Sequence, residues 1–311
     1  MTTVCEFNWP IARYRFEFVV ETPLRLPFYA GSTLRGAFGR ALRKIACMTK
    51  RKDCKSCPLY RECAYTNIFE TPAPQTHELQ KFSQVPNAYV IEPPAWGARI
   101  YEPGELLNFK MVLFGDALAR LALVIYAMQT AFARDVGHGT ARLNGVWLQG
   151  ESGESEIYSG DAESIADHPK SFFLADDSSR QSVKLHFSTP LRLQQNKRIL
   201  GPEEISASIF LMALVRRISL MTEFHAKTKV EIDFHLLKEK SQSASFVQNM
   251  RWLGVRRYSS RQCQMMNFSG LVGDCVLENV DQMFVPYLRL GTWIHLGKGA
   301  TFGMGRYVIE G

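Results

Sequence analysis

Four cysteines fall within seventeen residues, Cys47, Cys54, Cys57 and Cys63, in the spacing C-x6-C-x2-C-x5-C. Thiolates so placed, one pair as C-x2-C, suit tetrahedral metal ligation. Lys50, Arg51, Lys52, Lys55 and Arg61 surround them, and nearby positive charge favours the thiolate. Zinc is the first reading. An iron–sulfur cluster uses the same four donors, and a loop of unliganded thiols is the plain alternative. Four protein ligands leave no open position for a substrate, so the implied role is structural. Cys5, Cys263 and Cys275 are scattered and read as core thiols.

A second chemical signal lies near the other end. The stretch from Gly291 to Tyr307 holds Gly291, Gly297, Gly299, Gly303 and Gly305, with Lys298 and Arg306 among them. Glycine admits positive φ and close backbone approach, and consecutive backbone N–H groups can form an anion-binding nest. The loop follows a predicted helix over about 280–294 and precedes a strand over 305–309. That order is the reverse of the strand–loop–helix dinucleotide fingerprint. The expectation is a basic loop laid along a phosphate backbone, with a surface hairpin turn as the alternative.

Candidate acid–base and phosphate groups are spread along the chain. A helix predicted over 31–47 carries Arg35, Arg40, Arg43 and Lys44 but no histidine. Arg40, Arg43 and Lys44 share a face by their spacing, and Tyr29 stands just before the helix. His295, two residues before Gly297, is the leading acid–base candidate, and His138 is a weaker one. His225 follows Arg216 and Arg217 on a second predicted helix. His77, His168, His186 and His235 read as surface or strand positions. Arg256, Arg257, Arg261 and Lys298 are the expected phosphate contacts, which position a nucleic acid without reading its sequence. Tyr258 and Phe302 could stack an unpaired base.

Composition sets the frame. The chain has 311 residues, 46% hydrophobic and 22% charged, enough apolar residues for two cores. Its net charge of +7 favours a polyanionic partner over a cationic one. Acidic residues crowd one mid-chain segment, from Glu151 to Asp177, so the remainder is more basic than the average. No apolar run is long enough to span a membrane, and the first residues lack the features of a signal peptide. A cytoplasmic location, where thiols stay reduced, is the expectation.

The sequence also repeats. Thr22-Pro-Leu-Arg-Leu26 recurs as Thr189-Pro-Leu-Arg-Leu193, and Gly137-His-Gly-Thr-Ala-Arg142 resembles Gly297-Lys-Gly-Ala-Thr-Phe302. Two markers at nearly constant offset argue for two related domains. The first reads as strand 12–21, helix 31–47 with Ser32 as N-cap, strands 87–92 and 106–114, helix 117–133 capped by Asp116, and strand 143–149. That is β-α-β-β-α-β, the ferredoxin-like order. The second reads as strand 182–188, helix 203–223, strands near 251–258 and 264–277, a helix and strand 305–309. The predicted fold class is α+β: two tandem ferredoxin-like domains, 1–150 and 181–311. The cysteine insertion sits at 47–63, and 151–180 is an acidic linker or excursion.

Several ordered segments carry a resemblance. They are Gly31-Ser-Thr-Leu-Arg-Gly-Ala-Phe-Gly-Arg-Ala-Leu-Arg43, the cysteines with Cys57-Pro-Leu-Tyr-Arg-Glu-Cys-Ala-Tyr65, Phe69-Glu-Thr-Pro72 and Val90-Ile-Glu-Pro-Pro94. Arg256-Arg-Tyr-Ser-Ser-Arg-Gln262, Gly270-Leu-Val-Gly273 and the last glycine loop follow. Together they resemble the CRISPR precursor-RNA processing endoribonucleases of the repeat-associated mysterious protein (RAMP) superfamily. The resemblance implies two ferredoxin-like domains across a basic cleft and binding of the CRISPR repeat. It also implies one metal-independent cut per repeat, by attack of a ribose 2′-hydroxyl, leaving a 2′,3′-cyclic phosphate. Related sequences often carry a catalytic histidine in the first helix. Here Arg40 occupies a position where it can stand, and Tyr29 matches a helper tyrosine. An arginine is a poor general base but can brace a phosphorane charge. The expected catalytic set is Tyr29, Arg40, Lys44 and His295. The expected RNA-binding set is Arg35, Arg43, Arg256, Arg257, Arg261, Gly297, Lys298, Gly299, Gly303 and Gly305. Structural zinc is expected and a catalytic metal is not. The partners are repeat RNA, the mature guide and other subunits of a CRISPR effector complex. The rival readings are an inactive subunit that holds guide RNA and a module whose cysteine loop docks a protein.

Overall fold

From Ala12 to Val20 the chain alternates strictly. Tyr14, Phe16 and Phe18 are fully buried, while Arg13, Arg15 and Glu17 occupy the other face. A period of two is what a sheet with one packed face requires. The computed structural model describes residues 8–73, 85–150, 153–171, 182–226, 231–259 and 264–310. They form two units, one from 8–171 with 224–226 and the other from 182–223 with 231–310. Both mix helices with antiparallel sheets.

The first unit runs β1 (Ile11–Val20), β2 (Leu24–Leu26), α1 (Gly31–Ala46), α2 (Ala64–Phe69), β3 (Tyr89–Glu92), β4 (Arg99–Tyr101), β5 (Leu106–Phe114), α3 (Leu121–Phe132), β6 (Ala141–Gly150) and β7 (Gly153–Ser159). Its main sheet has the order β3-β5-β1-β6-β7, every pair antiparallel. A separate ribbon joins β2 to β4. Phe18, Phe109 and Phe132 stack in the core at centroid distances of 4.0 to 5.9 Å. Each such burial contributes roughly 1.5–3 kcal/mol.

The second unit runs β8 (Ser182–Leu191), β9 (Gln194–Gln195), β10 (Arg198–Ile199), α4 (Ala207–Met221), α5 (Phe234–Lys240), β11 (Ser245–Leu253), β12 (Arg256–Ser259), β13 (Gln264–Asn267), β14 (Gly270–Glu278), α6 (Val285–Ile294) and β15 (Tyr307–Glu310). Its main sheet has the order β11-β14-β8-β15, while β9–β10 and β12–β13 are ribbons. Setting β7 and the ribbons aside, both sheets place their long strands in the order second, third, first, last.

Several local expectations change. Ser32 lies inside the first turn of α1, whose N-cap is Ala30 without a side-chain bond. Asp116 does not cap α3, because a short 3₁₀ turn at Leu118–Arg120 intervenes. The acidic stretch is not all linker: Gly153–Ser159 pairs with β6 as the edge strand β7. The second strand of the later unit is Ser245–Leu253, and the predicted strand near 251–258 runs across the end of it into a distinct ribbon. Ser206 caps α4 through Ile209 N–H, so this helix begins later than 203. Among the described residues no helix is long and apolar enough to cross a membrane.

Candidate nucleic-acid interface

Helix α1 buries Leu34, Ala37, Phe38, Ala41 and Leu42, an i, i+3, i+4, i+7, i+8 stripe. Gly39 lies on that face because a Cβ there would come 2.3 Å from the Phe69 ring of α2. The opposite face leaves Arg40 and Lys44 exposed, and neither enters an ion pair among the described residues. Both therefore present their positive charge to solvent.

The other members of the first-helix set are otherwise engaged. Arg35 lies with its guanidinium 4.2 Å from the Phe69 ring centre, beside Tyr89. Arg43 donates to the carbonyls of Arg51 and Lys52, at 2.8 and 2.7 Å. It therefore ties the end of α1 to the cysteine loop, and its expected contact with RNA gives way to a bracing role. Tyr29 is buried, its ring 4.5 Å from that of Trp96. A side chain packed in this way supports the entry to α1, in place of the open helper position expected of it.

The four cysteines line one cavity of about 20 Å³, with Thr49, Tyr60 and Thr66 among its other walls. That is the size of a water or an ion. The loop is built from tight turns, Cys57 N–H to Cys54 O and Tyr60 N–H to Cys57 O. Bonds from the Thr49 hydroxyl and then the Leu59 N–H hold the Cys57 thiol below its usual pKa. Burial raises that of Cys54. The donor set and the ion-sized cavity fit a four-thiolate metal, although no three of the sulfurs lie within 4.8 Å of one another. Donor atoms that close do occur together in His186, Asp274 and Glu310 on the second sheet. Of the remaining cysteines, Cys275 is buried in β14 as expected, whereas Cys5 and Cys263 lie outside the described residues.

The repeated markers come together in space, and the topology explains why. In each unit the first strand runs antiparallel to a late one, β1 against β6 and β8 against β15. The loop entering that late strand must then meet the exit of the first. In the first unit Arg25 N–H donates to Gly137 O at 2.8 Å, and Thr140 N–H donates to the Thr22 hydroxyl at 2.8 Å. In the second, Lys298 N–H donates to Arg192 O and Gly305 N–H to Pro190 O, both at 2.9 Å, and Arg306 N–H donates to the Thr189 hydroxyl at 2.8 Å.

This changes the meaning of the glycines. Gly297, Gly299, Gly303 and Gly305 all have positive φ. A Cβ on Gly297 would lie 2.7 Å from Arg192 O, and one on Gly305 1.8 Å from Leu296 O. The close approach is to the protein's own backbone. The N–H groups of residues 298, 302, 303, 304 and 305 are spent on internal carbonyls, so the expected open phosphate nest is not formed. Replacing Gly305 with alanine should cost about 2–4 kcal/mol, from left-handed strain plus the clash. Gly254→Ala, where a Cβ meets nothing within 4 Å, should stay within about 0.5 kcal/mol. Denaturant melts of the two variants check this.

His295 is fully buried at the end of α6, with φ 57° and ψ 166°. Burial removes the reason for expecting it to meet a phosphate. Lys298 remains exposed on the loop. Arg256 and Arg257 are placed by β12, paired with Asn267 and Met266, and Arg261 lies outside the described residues. His138 is exposed, with φ 63° in the first glycine loop. His225 is buried, its Nε2 2.6 Å from Pro86 O in the first unit. Two arginines take structural roles beyond any that the sequence assigned them. Arg192 is largely buried, donating to Ser269 O at 3.1 Å, with Phe268 and Phe302 stacked edge-on nearby. Arg217 gives two bonds to Ile294 O, at 3.1 and 2.7 Å, capping α6, and burial lowers its pKa to about 10. The second Thr-Pro-Leu-Arg-Leu was the available signal for Arg192. Nothing local marked Arg217.

Comparison with known proteins places this geometry. Residues 8–170 match the family model of the AF_1859_N N-terminal domain, and residues 185–307 match that of the CRISPR-associated endoribonuclease Cas6. No curated protein matches the chain. A Cas6 product complex aligns with a TM-score of 0.58 at 15% identity, covering 96% of this chain and 99% of that one. Thermus thermophilus Cas6 aligns at 0.53 and 15%, covering 98% and 99%. A partial Cas6-RT-Cas1–Cas2 complex aligns at 0.57 and 11%, covering 98% of this chain and 46% of that one. At such identities the likeness is one of fold. The family models supply the assignment: the N-terminal half of the chain belongs to the AF_1859_N family, and its residues 185–307 match the CRISPR-associated endoribonuclease Cas6 family.

Proposed function

We propose that this protein binds CRISPR repeat RNA and cuts it once per repeat, releasing mature guide RNA, by attack of the ribose 2′-hydroxyl on the adjacent phosphate. The products are a 2′,3′-cyclic phosphate and a 5′-hydroxyl. The proposal includes two ferredoxin-like domains, a reading supported by the shared strand order of the two sheets. The observation that carries the function is the pair of exposed cations, Arg40 and Lys44, on the outer face of α1 in a chain whose residues 185–307 match the Cas6 family. Their charge would stabilise the phosphorane as it forms. Lys298 would hold phosphate on the second unit. With Tyr29 and His295 buried, His138, exposed in the first glycine loop, is the histidine that would move a proton. A structural zinc in the cysteine loop completes the proposal. Association with further CRISPR proteins is supported by the complex whose Cas6 part shares this fold.

Single-turnover cleavage of repeat RNA tests these roles. Arg40→Ala should slow the cut by about 10²–10³-fold, the scale of losing one transition-state donor, with RNA affinity changed far less. His138→Ala should slow it by about 10²-fold or more if it moves the proton. Unchanged rates in both would remove these residues from the mechanism.

A second reading, a guide-RNA holder without catalysis, is favoured by one observation. Helix α1 has no histidine, and both candidates outside it that were expected to help are buried. Tight binding by the wild type with no cut would establish that reading.

A further inference from the structure

The first unit carries an aromatic groove that the proposed chemistry does not use. It is a cavity of about 480 Å³ between the loop 94–98 and the β2–β4 ribbon. Small-molecule and nucleotide sites fall within roughly 300–1,000 Å³. Trp96 and Tyr101 line it, with Pro27, Pro94, Leu106 and Asn108. Phe28 stands at its edge, 55% exposed, its ring 5.5 Å from that of Trp96. Leu106 is 50% exposed. Such exposure has no packing role to explain it.

The groove is preformed by backbone. Gly97 N–H donates to Phe28 O at 3.0 Å, and Gly97 takes φ 123°, open to glycine alone at low cost. This bond holds the Trp96 loop against the chain leading into α1. On the far wall Leu24 pairs with Tyr101 and Leu26 with Arg99. Rigid walls reduce the ordering cost of a ligand.

Its polar groups select what enters. Asn108 Oδ1 accepts from Arg15 at 2.9 Å, which fixes the amide and leaves its NH₂ as the available donor. Arg99 lies 4.1 Å over the Tyr101 ring, a cation on an aromatic face. Glu105 partly balances this cation, at 2.9 Å. An aromatic plate beside one fixed donor suits a planar ring with carbonyl or ring-nitrogen acceptors on its edge. A nucleobase has that form, and stacking on aromatic side chains is how unpaired bases are held. A peptide carbonyl could also accept from the amide, but an aliphatic side chain would gain no stacking on the aromatic plate.

We infer that this groove binds an unpaired base of the RNA, stacked on Trp96 and bonded by the Asn108 amide. The inference rests on the RNA-binding reading above and adds a single-stranded contact to it. The base would lie in the part of the RNA outside the paired stem.

The test compares two labelled RNAs on the full chain, the repeat stem-loop alone and the stem-loop with its single-stranded flanks. Fluorescence anisotropy gives both affinities. Flank RNA carrying 4-thiouridine at one position per copy, irradiated and mapped by mass spectrometry, locates the contact. Wild type should bind the flanked RNA more tightly, and Trp96→Ala should remove about tenfold of that advantage while leaving stem-loop affinity unchanged. Trp96→Phe should restore most of it, and the crosslink should map to residues 94–108. An equal loss on both RNAs that Trp96→Phe rescues on both alike would make Trp96 a structural residue and overturn the inference. So would unchanged affinities, including the case in which Trp96→Ala instead loses co-purification with another CRISPR protein. Wild type that binds neither RNA would overturn the RNA-binding reading itself, a result distinct from all of these.

Discussion

Repeat RNA with a single 2′-deoxyribose at the cut position will survive incubation with this protein, while copies with the substitution elsewhere are cut normally. The proposed nucleophile is the 2′-hydroxyl, and deleting a nucleophile costs on the order of 10⁶ in rate in other enzymes. In practice no product should be seen over hours. EDTA added together with the RNA should leave wild-type cleavage unchanged, because no step uses a free metal ion. The product end should be a cyclic phosphate, read by its resistance to phosphatase until acid opens it. A normal cut in the deoxy copy would mean attack by water, and the whole assignment of roles to Arg40 and His138 would fall with it. The experiment precedes any mutagenesis, because it asks about the reaction before asking who performs it.

The second large effect concerns the cysteine loop. Purified protein should contain close to one metal per chain, and Cys54→Ser or a thiol-reactive agent should release it. The melting temperature should then drop by roughly 10 °C, from about 3–5 kcal/mol lost at about 2–4 °C per kcal/mol. The loss should spread, because Arg43 links the loop to the end of α1 through Arg51 O and Lys52 O. Arg40 and Lys44 lie on that same helix end, so cleavage should weaken together with stability. Arg43→Ala should reproduce part of the drop with the metal still bound. Metal-free protein with an unchanged melt would mean that the loop is held by Arg43 and its own turns alone. Loss of complex assembly with intact RNA affinity would favour a docking role for the loop.

The sequence made the parts with strong periodicity readable. Helix α1 was placed within a residue of its observed end, because Leu34, Phe38 and Leu42 mark a stripe that only a helix can bury on one side. Strand β7 was lost in the acidic segment because Gly-Glu-Ser-Glu shows no apolar face; it is an edge strand with its first four residues exposed. Strand β11 is displaced for a related reason, since its apolar residues fall on both faces, Phe246 and Leu253 half-buried but Val247 and Trp252 exposed. The glycine loop is the instructive failure. Glycine spacing announces positive φ, and it was right about that. It cannot say what approaches the bare backbone, and here the neighbour is Arg192 O instead of a phosphate. The repeated Thr-Pro-Leu-Arg-Leu carried that answer, since it named the partner of each loop. Burial of Tyr29 and His295 depends on Trp96 and on the α6 terminus, neither adjacent in a way a local pattern reveals.

The joint between the first strand and its late partner has a kinetic consequence. Thr22 meets Thr140 across 118 residues, and Thr189 meets Arg306 across 117. Contacts of such sequence separation are slow to form, because the chain's closure entropy is lost before the contact returns anything. Each unit can collapse its helices and its hairpins early, yet its first strand keeps one side bare until β6 or β15 has been made. Until then the bare side of β8 is an unpaired edge, a template for intermolecular pairing. Refolding should therefore be slow and concentration-sensitive, and a mutation in either glycine loop should lengthen that exposed interval even where the finished protein tolerates it.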